Sequence, residues 1–401
     1  MTALHLAVAL DGAGWHPAAW RSPAARPRDL FAATYWKSLV AEAERGRLDF
    51  VTFNDSLTLQ SADHFAPDQR TDQVRGRLDA TLIAARVAPA SDRIGLVPVA
   101  TATHTEPFHV SKAIATLDYV STGRAGVQIR SGGLAGEPAL FGRREFPALS
   151  AEALQSPQIQ QLITERFDET ADFIEVIRRL WDSWEDDAEI RDAATGRFID
   201  RDKLHYIDFK GRWFSVRGPS ITPRPPQGQP LVTVLGHGLV PYRLAARQAD
   251  VLFVTPQDAA HGRQILDEVR GETDATGRGE QLLVFADLLV FLDADAGAAA
   301  ARKARLDEWD GAELFSDAQI FTGTPVALAD RIQELGELGF DGVRLRPGVL
   351  PADLTVLVES VVPELGRRGL FQPRYDRPTL RDRLGFARPA SRYLLANGSA
   401  R

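Results

Sequence analysis

The 401-residue sequence predicts an α/β fold: one (β/α)8 TIM barrel with insertions after strands 4 and 7 and a C-terminal tail. Three observations carry that expectation. Short apolar runs alternate with amphipathic helical patterns, the rhythm of βα units and a parallel sheet. The unit recurs eight times, the number that closes a barrel. No G-x-G-x-x-G follows an early strand, which argues against an open dinucleotide-binding sheet.

In order, strand one is expected over 4–10 and a helix over 35–45, with Leu39, Val40 and Ala43 on one face. Strand two (50–53) precedes a helix at 77–87, strand three (94–100) a helix at 107–120, and strand four covers 125–130. Residues 131–165, rich in Gly, Pro and polar groups, read as an irregular insertion of the kind that forms lids and binding loops. A helix resumes over 167–184, where Phe167, Ala171, Ile174, Ile177 and Trp181 fall at helical spacing. Residues 185–229 read as an excursion, with hairpin strands 205–209 and 212–216 around Lys210-Gly211 and a Pro-rich connector. Strand five (231–235) precedes a helix at 241–248, strand six (251–255) a helix at 259–275, and strand seven covers 282–292. A second insertion, 296–321, contains a helix. Thr324-Pro325 reads as N-cap and first-turn proline of a helix reaching 338. Strand eight is 342–346 and the last helix 352–368. Residues 1–371 thus form one domain and 372–401 a polar tail.

Composition narrows the function. A net charge of -7 and no Lys/Arg cluster argue against nucleic acid and anionic membranes as partners. Without cysteine there is no disulfide, thiolate metal site or Cys nucleophile, and no His cluster has metal spacing. The N-terminus lacks a basic start and an apolar core, and no run of eighteen apolar residues occurs, so the cytoplasm is the expected compartment. H-E-x-x-H, P-loop and G-x-S-x-G motifs are absent.

Barrel enzymes gather functional residues just after their strands. Asp55, after strand two, reads as a ligand acceptor or as the cap of the next element. Thr101 to Glu106, after strand three, form a polar cluster. Its His104 is the catalytic candidate, as proton donor or hydrogen-bond partner, although a lone loop histidine is more often satisfied locally. Strand four ends in Gln128-Ile129-Arg130-Ser131-Gly132-Gly133, where Arg130 beside Ser131 and Gly132 either receives an anion or pairs with a carboxylate of the insertion. Strand five ends in Gly236-His237-Gly238 just before a helix, where glycines admit a phosphate to the helix N-terminus or serve a tight turn. On strand eight Arg344 and Arg346 share one face. Scattered hydroxyls, histidines and arginines with few acid/base pairs suit an enzyme whose hard chemistry belongs to a bound cofactor.

An ordered set of segments resembles the bacterial luciferase-like flavin monooxygenases, in their nitrilotriacetate monooxygenase branch. The set comprises Tyr35-Trp36 through Phe53-Asn54-Asp55, Pro107 to Gly126 with Thr116-Leu117-Asp118 and Ser121-Thr122-Gly123-Arg124, Arg166 to Asp187, Ala245 to Val254, Thr322-Gly323-Thr324-Pro325 and Ala329-Asp330-Arg331. The resemblance spans nearly the whole chain. It implies a two-component enzyme that takes reduced FMN from a separate NAD(P)H:flavin reductase. O2 then gives a flavin C4a-hydroperoxide, which oxygenates a small organic substrate. It also implies a homodimer or homotetramer. Carried over by position, Asp55, Thr101 and the segment Gln128, Arg130, Ser131 and Gly132 would face the flavin. Ile163, Phe167, Gly236, His237 and Gly238 would lie on its phosphate side. There the chain departs from the branch, which has His and Tyr where this sequence has Ile163 and Phe167, and Ser where it has Gly238. Two other readings share the fold: a deazaflavin- or flavin-dependent oxidoreductase without oxygen insertion, and a non-catalytic flavin-binding protein.

Overall fold

In the computed structural model eight parallel strands close on themselves: His5–Leu10, Phe50–Phe53, Gly95–Thr101, Gly126–Arg130, Leu231–Leu235, Val251–Val254, Leu283–Leu292 and Gly342–Pro347. Ala7 lies opposite Phe50 on one side and Arg344 on the other, so the first strand joins the second and the eighth and seals the barrel. The structure describes every residue except 1–2, 62, 64–66, 133–135, 148–149, 151, 373 and 395–401. Gly133 and the last seven residues of the tail therefore lie outside the described residues. Among the described residues, no helix is long and apolar enough to cross a membrane.

Helices pack around the strands for the reasons their sequences supply. Ala33–Arg45 buries Tyr35, Trp36, Leu39, Val40 and Ala43, the stripe that faces the barrel. Asp258 caps Ala259–Thr276 by accepting a hydrogen bond from the His261 amide at 2.8 Å. Asp258→Ala is expected to lower the midpoint of an unfolding titration, and an unchanged midpoint would deny the cap its role.

Three local expectations need correction. The helix expected from 167 begins ten residues earlier, as Pro157–Asp182, capped by Ser156 with proline in its first turn. Its first turns carry Ile159, Leu162 and Ile163 at helical spacing among Gln and Thr, and Ile159 is buried, so the apolar stripe starts before Phe167. Ile163 and Phe167 consequently lie one turn apart on one helix face. The hairpin near 210 is shorter, Phe209–Lys210 with Ser215–Val216, and a second hairpin, Glu189–Asp192 with Arg197–Ile199, precedes it. The insertion after strand seven carries the helix Ala296–Asp310 and also a strand, Gln319–Gly323, which extends the outer half of strand seven. That strand is only half-buried and offers no clear alternation to read.

The tail is part of the core rather than a loose polar end. Leu380, Leu384 and Phe386 pack with Phe50, Val97 and Leu231 to close the N-terminal end of the barrel. Arg381 donates to Asp250 at 3.1 Å, and Arg178 binds the other oxygen of that carboxylate at 2.9 Å. Above this plug the rings of Phe50, Phe253 and Phe285 stack at about 6 Å and fill the interior. This plug at the bottom leaves the C-terminal ends of the strands as the open face of the barrel interior among the described residues.

Candidate functional site

Above the aromatic layer the interior becomes charged. Asp287, on strand seven, is fully buried and is shared by two arginines of strand eight. Arg344 Nε donates to it at 2.8 Å and Arg346 Nε at 2.9 Å. The Arg344 guanidinium lies 3.7 Å over the Phe253 ring, and its Nη1 donates to Gln128 Oε1 at 2.6 Å. Arg346 also donates to Asp317 at 2.6 Å and lies 4.8 Å over Trp15. Burial raises the Asp317 pKa, but Arg346 beside it prevails and holds the carboxyl at about 2.

On this charged floor stands a cavity of about 420 Å³, within the range of small-molecule sites. Val99, Phe167, Val234, Leu235 and Leu244 give it apolar walls. Asn54, Gln128, Ser131, His237 and Arg130 bring polar groups to it, and Arg344 and Arg346 reach it from below. Because Gln128 Oε1 is taken by Arg344, its NH2 is the group left for a ligand. His237 Nδ1 lies 3.1 Å from Thr255 Oγ1, and desolvation lowers its pKa, so near neutral pH the ring meets a ligand uncharged. A second depression, of about 570 Å³, is lined only by residues between 136 and 146. It contains no strand end and is not the barrel mouth.

The sequence-singled residues fall into three groups. Gln128, Arg130, Ser131, Phe167 and His237 line the cavity. Asp55 and Thr101 do not. Asp55 accepts from the Ser56 and Ala80 amides, and burial raises its pKa. Thr101 is buried at the end of strand three and accepts from the Thr105 hydroxyl through its carbonyl. Gly132 is held behind the rim, its N–H donating to Thr103 Oγ1 at 2.8 Å. A Cβ there would lie 2.9 Å from that of Thr103, so only glycine permits the approach.

Gly236 donates to the Phe253 carbonyl at 3.0 Å, and Gly238 opens the helix Leu239–Gln248. Nothing lies within 4 Å of a Cβ built on Gly238, so a side chain there would meet open space. Ile163 is half-buried one turn before Phe167. His104 lies outside the cavity lining, stacked on Phe141 of the short helix Glu137–Phe141 at 5.0 Å. Burial holds its imidazole below the ordinary pKa.

Residues the sequence reading missed include Trp15, Asn54, Asp287 and Asp317. Asp287 left a signal: it is the one charged residue inside the apolar run 282–292, and a carboxylate there needs a buried partner. Trp15 and Asp317 stand on irregular segments and left none.

A closed barrel with a small-molecule cavity at the C-terminal ends of its strands has the form of a barrel enzyme. The chain belongs to the luciferase-like monooxygenase family, whose model matches residues 13–333. It is 30% identical to the N-acetyl-S-(2-succino)cysteine monooxygenase of Bacillus subtilis (strain 168), over 97% of this chain and 98% of that one. It is also 30% identical to nitrilotriacetate monooxygenase component A of Aminobacter aminovorans, over 94% and 95%. The fold matches the crystal structure of riboflavin lyase with modified FMN and riboflavin at a TM-score of 0.81, covering 96% of each chain at 24% identity. These relatives place the chain among flavin-dependent oxidoreductases.

Proposed function

We propose that this chain is the oxygenating component of a two-component monooxygenase, taking reduced FMN from a separate NAD(P)H:flavin reductase and using O2 to oxygenate a small organic substrate. One observation carries the reading: the mouth cavity combines apolar walls with a few polar groups and reaches His237, one residue before the Gly238 that opens the helix Leu239–Gln248. An elongated ligand with a flat ring and an anionic end fits that combination. Val99, Val234, Leu235 and Phe167 would pack the ring, Asn54, Gln128 and Ser131 would meet its polar edge, and the amides at Gly238 would receive the phosphate. The reduced flavin, when bound, supplies the electrons that activate O2. The apolar walls keep water from the reacting edge, and the buried arginine pair fixes Gln128 so that its amide is preorganised.

With Ile163, Phe167 and Gly238 on the phosphate side, that end would rely on His237 and the Thr255 hydroxyl beside it for side-chain donors. Weak retention follows, and the protein is expected to purify without flavin yet to bind reduced FMN saturably. Anaerobic titration with reduced FMN, oxidised FMN and a deazaflavin, followed by admission of O2, tests this. Saturable binding of reduced FMN with oxygen uptake supports the reading. Preference for the deazaflavin without oxygen uptake, or no saturable binding at all, removes it.

A further inference from the structure

Beside the cavity, under the insertion after strand four, lies a buried cluster that the proposed flavin chemistry does not use. Glu137 is fully buried at the start of the short helix Glu137–Phe141, where it pairs with Arg130. His104 Nε2 lies 3.9 Å from its other oxygen. Arg166, itself only 6% exposed, donates to the Gly132 carbonyl at 3.2 Å and lies 3.9 Å over the Phe146 ring. Arg144 is satisfied separately by both oxygens of Glu169. Among the described residues, Arg130, Arg144 and Arg166 thus share the cluster with Glu137 and Glu169, with Asp55 and Arg77 acting on Arg130 and Glu106 on Arg144 from its edges. Among the described residues, three buried nitrogens around Glu137 have no hydrogen-bond partner: Arg130 Nε, Arg166 Nε and His104 Nε2. A buried donor left unmade is costly, so a native structure that retains three in one place has room for a better acceptor.

We propose that Arg130, Arg166 and His104 form a carboxylate-binding site at the rim of the cavity, in which Glu137 is a built-in occupant that a carboxylate-bearing substrate displaces. Arg130 lines the cavity as well as touching Glu137, so one residue joins the site to the bound substrate. Exchange of one carboxylate for another keeps the charge of the cluster constant, which removes the desolvation cost that a neutral competitor would meet. The short helix is framed by Gly136 and Gly142, both at positive φ, where the backbone turns without side-chain strain. A carboxylate is favoured over a phosphate because the group already held is a carboxylate. The helix N-terminus at Gly238, which suits a phosphate, stands at a different strand end.

This inference rests on reading the cavity as the substrate site, and its test uses succinate, which needs no flavin. In the wild-type protein, saturating succinate is expected to raise hydrogen exchange at residues 137–141 as Glu137 leaves, and unchanged exchange there overturns the proposal. Glu137→Gln removes the competing charge and is expected to tighten succinate binding by about tenfold or more, equivalent to ~1.4 kcal/mol. Arg130→Gln is expected to weaken it to a similar degree. Equal affinity in wild type and Glu137→Gln overturns the proposal, as does inorganic phosphate acting as well as succinate. If Glu137→Gln fails to fold, the wild-type exchange measurement decides. Titration of the same samples with reduced FMN separates the two readings: loss of flavin binding with succinate binding intact sinks the proposed function and leaves the carboxylate site standing.

Discussion

Replacing Asp287 by alanine is expected to destabilise the protein by about 3–5 kcal/mol, because it strands a buried guanidinium. The two arginines do not suffer alike. Arg346 keeps Asp317, to which it donates at 2.6 Å. Arg344 keeps Gln128, a Thr52 hydroxyl at 3.5 Å and the face of Phe253, none of them charged. A cation over an aromatic face gains about 2 kcal/mol when desolvated, well short of a carboxylate's contribution in a dry site. The double variant Asp287→Ala/Arg344→Met, which removes the stranded charge but keeps the volume, is expected to recover most of the loss. Urea unfolding of the three proteins checks this. An Asp287→Ala protein within 1 kcal/mol of wild type would show that the pair is dispensable, and a double variant no better than the single would show that the loss does not come from a stranded charge. The double variant also frees Gln128 from its anchor, so its affinity for reduced FMN is expected to fall even though its stability returns.

Restoring the missing polar groups on the phosphate side is expected to tighten flavin binding strongly. A hydrogen bond to a charged group contributes about 1.5–3 kcal/mol, roughly tenfold to a hundredfold in affinity. Gly238→Ser is the cleanest single change. The backbone there is extended at φ 162°, a conformation any residue adopts, and nothing lies within 4 Å of the new Cβ. Phe167→Tyr adds a hydroxyl to a ring that already lines the cavity. Ile163→His places its imidazole one helical turn away on the same face. Each change is expected to lower the dissociation constant of FMN by about tenfold or more, with the serine also adding an N-cap to Leu239–Gln248. Affinity indifferent to all three would mean that the phosphate lies elsewhere, with Arg130 the next place to look.

The barrel was legible in advance because its strands are buried on both faces and its helices on one. Burial of that kind imposes apolar runs of strand length and stripes of helical period, whatever the neighbours are. Thr324 was legible as a cap for a similarly local reason: a helix end leaves amides that the preceding side chain satisfies. The insertions were harder. The helix Pro157–Asp182 begins inside a stretch whose Gly, Pro and polar content masks the spacing of Ile159, Leu162 and Ile163, and the strand Gln319–Gly323 is half-buried on an edge and does not display the period of its class.

The candidate site was legible in part, through Gln128, Arg130, Ser131 and His237, because strand ends point at the mouth in any such barrel, and through Phe167 from the family resemblance. The chain sequence by itself determined the barrel, the order of its units and the family, all of which follow from patterns within a few turns or strands. The tertiary structure decided which charges meet. Asp287 and Arg344 are 57 residues apart, Arg130 and Arg166 come from a strand and a distant helix, and the tail reaches back to seal the barrel floor. Such pairings arise only when closure brings strands seven and eight side by side and excludes water between them. A sequence shows that a carboxylate and two arginines exist, but the low-dielectric contact that binds them is a property of the folded interior.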